Sequence, residues 1–237
     1  KKITSTWFVP GVVIDSHEDN VRAVADAGHE IEHHGYSHRI PSTLPPALEE
    51  SEMVRAIESI VRVAGKAPRG YRSPAWDLSP VTIDLLLRHG FNYDSSMMGD
   101  DSMPYFARKG DRVAVDEPLI KGETTALVEM PISWSLDDHP HFEFVRAGDT
   151  VMPGLRDARG VLGNFVDDFL YMKRNCDWGV LTYTFHPYVI GRGHRMLMLE
   201  RLIDRLGDLG AVFMPMGEAV DTFLQQAKRV DPVACST

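Results

Sequence analysis

Cysteine is nearly absent from this chain. Two occur in 237 residues, Cys176 and Cys235, too few for a disulfide framework. Long apolar runs are missing too: none approaches the roughly 18 residues that a membrane span requires, so no membrane partner is expected. Positive charge is scarce and scattered. With 25 Lys and Arg against 34 Asp and Glu, the formal net charge is −9, which argues against a nucleic-acid partner gripped through its phosphates. The opening residues Lys1 to Val9 show neither an initiating methionine nor a leader pattern. The chain is therefore expected to begin inside a longer protein and to work in a reducing, cytoplasmic setting. What remains is ordinary for a globular domain: 43% of residues are hydrophobic, and the length suits one α/β unit over residues 1–237.

Histidine is the residue in good supply. The stretch Gly28-His29-Glu30-Ile31-Glu32-His33-His34-Gly35-Tyr36-Ser37-His38 carries four imidazoles in eleven residues. His34 and His38 are separated by a glycine, a tyrosine and a serine. Neutral imidazole nitrogens bind a divalent ion of borderline softness at about 2.0–2.1 Å, and two side chains four apart in a tight turn can meet at one point. Gly28 stops a helix and Glu30 to His33 read as a short strand, which puts both histidines just past a strand's carboxyl end. Parallel α/β folds build their sites there. His29 and His33 alternate differently along the strand and are expected to be structural.

The rest of the chain alternates in the same manner. Strands are expected at Ile3 to Val9, Glu30 to His33, Gly70 to Pro74, Phe91 to Tyr93, Leu127 to Ile132, Gly179 to Phe185 and Ala211 to Met214. Between them fall helical patterns. One opens near Ser16 with a capping-box spacing to Asp19. Another runs from Pro46 to Ala64 with Met53, Ile57, Ile60, Val61 and Ala64 as its buried stripe, and a third begins at Ser79-Pro80. Residues Met97 to Ala126 and His139 to Arg159 read as irregular insertions. Helices between successive strands imply parallel pairing. His34, His38, Arg72, Asp94, Trp134 and His186 all fall at strand ends, which a barrel gathers round one axis. The expected fold is a distorted parallel (β/α) barrel of seven or eight strands.

His34-Gly-Tyr-Ser-His38, Arg72-Ser-Pro-Ala-Trp76, the Trp134 segment and Thr184-Phe-His186-Pro187, in that order, resemble the polysaccharide deacetylase superfamily, carbohydrate esterase family four. The likeness is to its intracellular branch of peptidoglycan-deacetylase-like proteins, cyclic imide hydrolases and allantoinase-like proteins. Thr6-Trp7-Phe8-Val9-Pro10-Gly11 and Gly122 to Asp138 also sit in that branch's pattern. The resemblance implies a barrel with one Zn²⁺ ion, or Co²⁺ or Ni²⁺, in an Asp-His-His set, with His34 and His38 as the imidazole ligands. It implies that His186 is the general acid on the leaving amine, that Arg72 orients the catalytic aspartate, and that Trp76 and Trp134 line the substrate pocket. The family's opening Asp-x-Asp motif belongs to a strand before Trp7, and these residues do not contain it. The first strand is accordingly expected to lie upstream of Lys1. Asp94, Asp137 and Asp138 are weaker candidates for the missing carboxylate, since loop aspartates more often satisfy turns.

The activity so implied is metal-dependent hydrolysis of non-peptide carbon–nitrogen bonds, of deacetylase or cyclic imide/amide hydrolase type, with metal-bound water attacking the amide carbonyl. Two alternatives stay open: a metal-independent, allantoinase-like ring-opening hydrolase, and a non-catalytic barrel that binds a carbohydrate or metabolite. A small molecule or short carbohydrate is the expected substrate, because the two insertions could wall off the barrel mouth. Relatives of this kind often associate, so the resemblance also allows a homo-oligomer.

Overall fold

The computed structural model describes residues 1–147, 149–152 and 154–230. Its contacts divide the chain into two units. One, the sheet unit, comprises Thr4–Met97, Pro104–Met130 and Met214–Thr237; the other, the helical unit, comprises Lys1–Ile3, Met98–Met103 and Pro131–Phe213.

In the sheet unit, β1 (Thr6–Val9) ends at Pro10, and two short helices follow, α1 (Gly11–Ser16) and α2 (Glu18–Asp26). The helix expected to open near Ser16 is α2, which starts two residues later at Glu18, and α1 is an additional short helix directly after Pro10. His17, not Ser16, stands at the junction, and no capping side chain bonds there. β2 (Glu30–His33) pairs in parallel with β1, Thr6 opposite Glu30 and Val9 opposite His33. α3 (Pro46–Ala64) then buries Met53, Ala56, Ile60 and Val63, each large member worth about 1.5–3 kcal/mol when removed from water. Of the expected stripe Met53 and Ile60 are buried, Ile57 and Ala64 half-buried, and Val61 is exposed because the buried face is rotated toward Ala56 and Val63. Gly65, at φ 71°, closes it by donating to the Val61 carbonyl, a left-handed position where glycine carries no Cβ penalty. β3 (Gly70–Tyr71), α4 (Thr82–Arg88), β4 (Tyr93–Asp94), β5 (Tyr105–Lys109) and β6 (Glu123–Glu129) complete a sheet of order β1-β2-β3-β4-β6-β5. All neighbours are parallel except β5, which runs antiparallel to β6. Two apolar clusters support it: Val9, Ile14, Val21, Ile31, Ile60 and Val63 in one, and Met53, Tyr71, Leu85, Leu86, Phe91 and Leu127 in the other.

The helical unit holds α5 (Asp138–Phe142), the hairpin strands β7 (Val145–Ala147) and β8 (Thr150–Met152), α6 (Ala158–Asn175), α7 (Pro187–Ile190) and α8 (Gly193–Asp208). Its core is Phe142, Phe165, Phe169, Val189, Met198, Leu202 and their neighbours.

The mixed α/β architecture with a mostly parallel sheet matches the expectation, but the strand list needs correction. Among the described residues, Gly179 to Phe185 and Ala211 to Met214 form no strand. Leu181, Tyr183, Phe185, Ala211 and Phe213 instead pack their side chains on the α6/α8 core, and only one parallel bridge survives, Asp137 to Thr184. Conversely, β5 and the β7–β8 hairpin arise inside the two segments read as irregular, where charge and proline hid the alternation. Among the described residues, no helix is long and apolar enough to cross a membrane.

Candidate active site

In the sheet unit the site starts from a strand end. His33 closes β2 and is fully buried, its ring held by the Met53 carbonyl at 3.1 Å and the Gly35 amide at 3.1 Å. The chain then turns through Gly35 at φ 68° and His38 at φ 60°. The second value is unusual for a residue with a Cβ and requires support from its surroundings. The turn brings the His34 and His38 rings to 4.9 Å between centroids, at 74° to one another. His34 is half-buried and its Nδ1 lies 2.6 Å from the carbonyl oxygen of Arg72. A carbonyl only accepts, so Nδ1 carries the proton and Nε2 carries the lone pair. Burial, followed by the charges of His38 and Arg72, pushes the His34 imidazole down to about 3 against one opposing hydrogen bond. The ring is therefore neutral at physiological pH.

Arg72 itself is buried. Its guanidinium donates to the Ser95 carbonyl at 3.2 Å and Ser95 Oγ at 2.8 Å, and lies 4.5 Å from the centre of the Phe8 ring. Asp94, at the end of β4, faces Glu129 at the end of β6, both fully buried. Burial lifts Asp94 to about 6, and burial together with the Asp94 charge lifts Glu129 well above the carboxylate range. Glu129 accepts the amides of Ser96 and Met97 at 2.8 Å each, and Ser96 Oγ reaches Asp94 at 2.6 Å. Asp94 thus anchors the loop beside Arg72. Trp76, half-buried, ends the short turn Pro74–Trp76 with φ 54°.

In the helical unit the bridge between Asp137 and Thr184 sets a second group. Thr184 donates its amide to the Leu136 carbonyl at 2.9 Å and accepts that of Asp138 at 3.0 Å, which brings His186, two residues on, beside Asp138. The His186 Nδ1 meets Asp138 Oδ1 at 2.8 Å, and the His186 amide lies 3.1 Å from both oxygens of the same carboxylate. Asp138 is fully buried. Asp137 accepts the His139 amide at 2.7 Å and so caps α5, with burial raising its pKa. The rings of His139 and Tyr188 stand edge-on to His186 at 5.6 and 6.0 Å. Trp134 is exposed.

Among the described residues, two groups have the composition to hold a metal. His34 and His38 fit well: adjacent rings, with the His34 Nδ1 fixed by a carbonyl, the usual outer support of a ligating imidazole. Asp137, Asp138 and His186 also place one donor atom each within 4.8 Å of one another. Their donors are already engaged, however, Nδ1 on Asp138 and both Asp138 oxygens on the His186 amide, which is the geometry of a carboxylate orienting an imidazole. The sequence reading missed this Asp138–His186 pairing. The signal available is the Asp137-Asp138 doublet following Trp134, read from the sequence as a weak candidate for the missing carboxylate or a turn-satisfying pair.

The polysaccharide deacetylase family model matches residues 1–93. The peptidoglycan deacetylase of Helicobacter pylori is 35% identical, the alignment covering 96% of this chain and 81% of that protein. A crystal structure assigned to the polysaccharide deacetylases, from Mycobacterium smegmatis, superposes with a TM-score of 0.79 at 30% identity over 95% of this chain and 73% of its own. The PuuE allantoinase structure, at 22% identity and a TM-score of 0.74 over 99% and 70%, shares the fold. This chain belongs to the polysaccharide deacetylase family, carbohydrate esterase family four, and is a deacetylase-type hydrolase acting on carbon–nitrogen bonds.

Proposed function

We propose that the protein is a metal-dependent N-deacetylase of N-acetylated carbohydrates. Short peptidoglycan-type glycans are the substrate class favoured by its likeness to the Helicobacter pylori peptidoglycan deacetylase. The observation that carries this reading is the His34–His38 pair, its rings 4.9 Å apart with the His34 Nδ1 2.6 Å from the Arg72 carbonyl oxygen. His34 and His38 would hold a Zn²⁺, Co²⁺ or Ni²⁺ ion. Catalytic zinc sites use three protein ligands, so one more comes from elsewhere in the polypeptide. The ion, when bound, supplies a Lewis acid that polarises the amide carbonyl and activates water.

The chain's own residues do the rest. His186, oriented by Asp138, protonates the departing amine nitrogen. Arg72, held by Ser95, sets the electrostatics beside the histidine turn and orients a carboxylate base. Trp76 and Trp134 offer apolar faces to a sugar ring. Release of acetate from N-acetylglucosamine oligomers and peptidoglycan fragments tests the reading. Chelation is expected to abolish release and Zn²⁺ or Co²⁺ to restore it, with His34→Ala inactive under both conditions. Undiminished turnover after exhaustive chelation would instead favour metal-independent chemistry.

A further inference from the structure

Every residue between the two imidazoles is tied by hydrogen bonds to α1 or α3 or to a side chain they carry. The carbonyls of Gly35 and Tyr36 accept the amides of Gly11 and Val12, at 3.0 and 2.9 Å. The Tyr36 hydroxyl donates to Asp15 Oδ2 at 2.8 Å, and the Arg55 guanidinium lies 3.8 Å over its ring. The Tyr36 ring fits only because residue 11 is glycine: a Cβ there would sit 2.4 Å from Tyr36 Cδ2. Asp15 is fixed in turn by Ser59 Oγ at 2.7 Å and Arg62 Nη2 at 2.6 Å, both from α3. One residue further along the turn, Ser37 donates its amide and hydroxyl to Glu52 Oε2 at 3.2 and 2.6 Å, and Arg39 pairs with the other oxygen of that carboxylate.

We infer that Asp15 and Glu52 are positioning residues for the imidazole pair: by fixing Tyr36 and Ser37 they preset the spacing and angle of His34 and His38, and thereby set the affinity for a divalent cation. This inference rests on the metal-holding role proposed above. The physical reason is preorganisation. A three-residue turn containing glycine samples many backbone states, and each must be given up when both rings ligate one ion. Here the choice is made before the ion arrives, including the left-handed backbone at His38. Beneath the two carboxylates Ile14, Ala56 and Ile60, on the same two helices, are fully buried. Outer-sphere supports of this kind typically change metal affinity by 10–100-fold.

The test is a Co²⁺ titration of the full chain, followed by visible absorption, with thermal unfolding in chelator as a separate readout. Glu52→Ala and Asp15→Ala are each expected to weaken Co²⁺ binding about 10-fold or more and to alter the ligand-field bands. Glu52→Gln, which keeps an oxygen for Ser37, recovers most of the affinity. Tyr36→Phe deletes one hydroxyl and is expected to reproduce the direction of Asp15→Ala; it decides the matter should the alanine variants fail to fold. A dissociation constant and spectrum identical to the parent protein in folded variants, whatever their melting temperature, would overturn the inference while leaving the metal reading intact. Parent protein that binds no cobalt would overturn that reading and the inference with it.

Discussion

Two imidazoles in this molecule are held through the same ring atom by opposite kinds of partner. His34 in the sheet unit gives its Nδ1 proton to a backbone carbonyl; His186 in the helical unit sets its Nδ1 against the buried carboxylate of Asp138. A carbonyl fixes a tautomer without adding net charge, and burial then drives the ring neutral, which suits a lone pair to a cation. A carboxylate fixes the tautomer and also stabilises the ring when it is protonated, which suits proton transfer. On the roles proposed above, one residue type would serve two tasks because the second partner differs.

The sharpest way to break that contrast is to neutralise the carboxylate. Asp138→Asn is expected to lower kcat by about 10²–10⁴-fold, the range of positioned acid–base catalysis, with the Zn²⁺ dissociation constant unchanged. Steady-state kinetics beside calorimetric zinc titration reads both numbers. A variant that loses metal and retains kcat would exchange the two roles.

A smaller effect concerns pH, and has to be separated from the histidines before any rate profile is assigned to them. Glu32, on β2, accepts the amides of Arg69 and Gly70 at 2.8 and 2.7 Å. Burial, then the neighbouring Glu30 charge, raises it to about 8. A folded-state pKa above the unfolded one means that its contribution is full below about 4.5 and is lost as pH rises through about 8. The melting temperature should therefore fall between pH 5 and 8.5. Glu32→Gln should flatten that slope, gaining roughly 5 °C at the upper end, as differential scanning calorimetry at the two pH values will show. Equal slopes in both proteins would place the ionisation elsewhere.

Much of this was legible in the sequence, and the failures share a cause. The α3 helix follows from its stripe, its Pro-Pro start and Gly65, and the five parallel strands of the sheet from short apolar runs between glycines and prolines. His34 and His38 stand out because their four-residue spacing is local, and the turn brings the two rings together. Segments 179–185 and 211–214 look like strands because they are β-branched and aromatic. Strand formation also needs a paired neighbour, however, and here the helices α6 and α8 take up those side chains instead. β5 hid behind Arg108 and Lys109 for the converse reason, since an edge strand tolerates charge. Pairings between residues far apart in the chain left least trace. Asp138 meets His186 across 48 positions and Arg62 meets Asp15 across 47, and nothing in the local pattern of either member announces the other.

Zinc K-edge X-ray absorption on the metal-loaded protein, beside His34→Ala and His38→Ala, tests the central claim most directly. The account predicts imidazole scattering from two histidines at about 2.0–2.1 Å, reduced to one in each variant that still binds. Zinc bound with its imidazole signature intact in both variants would contradict it.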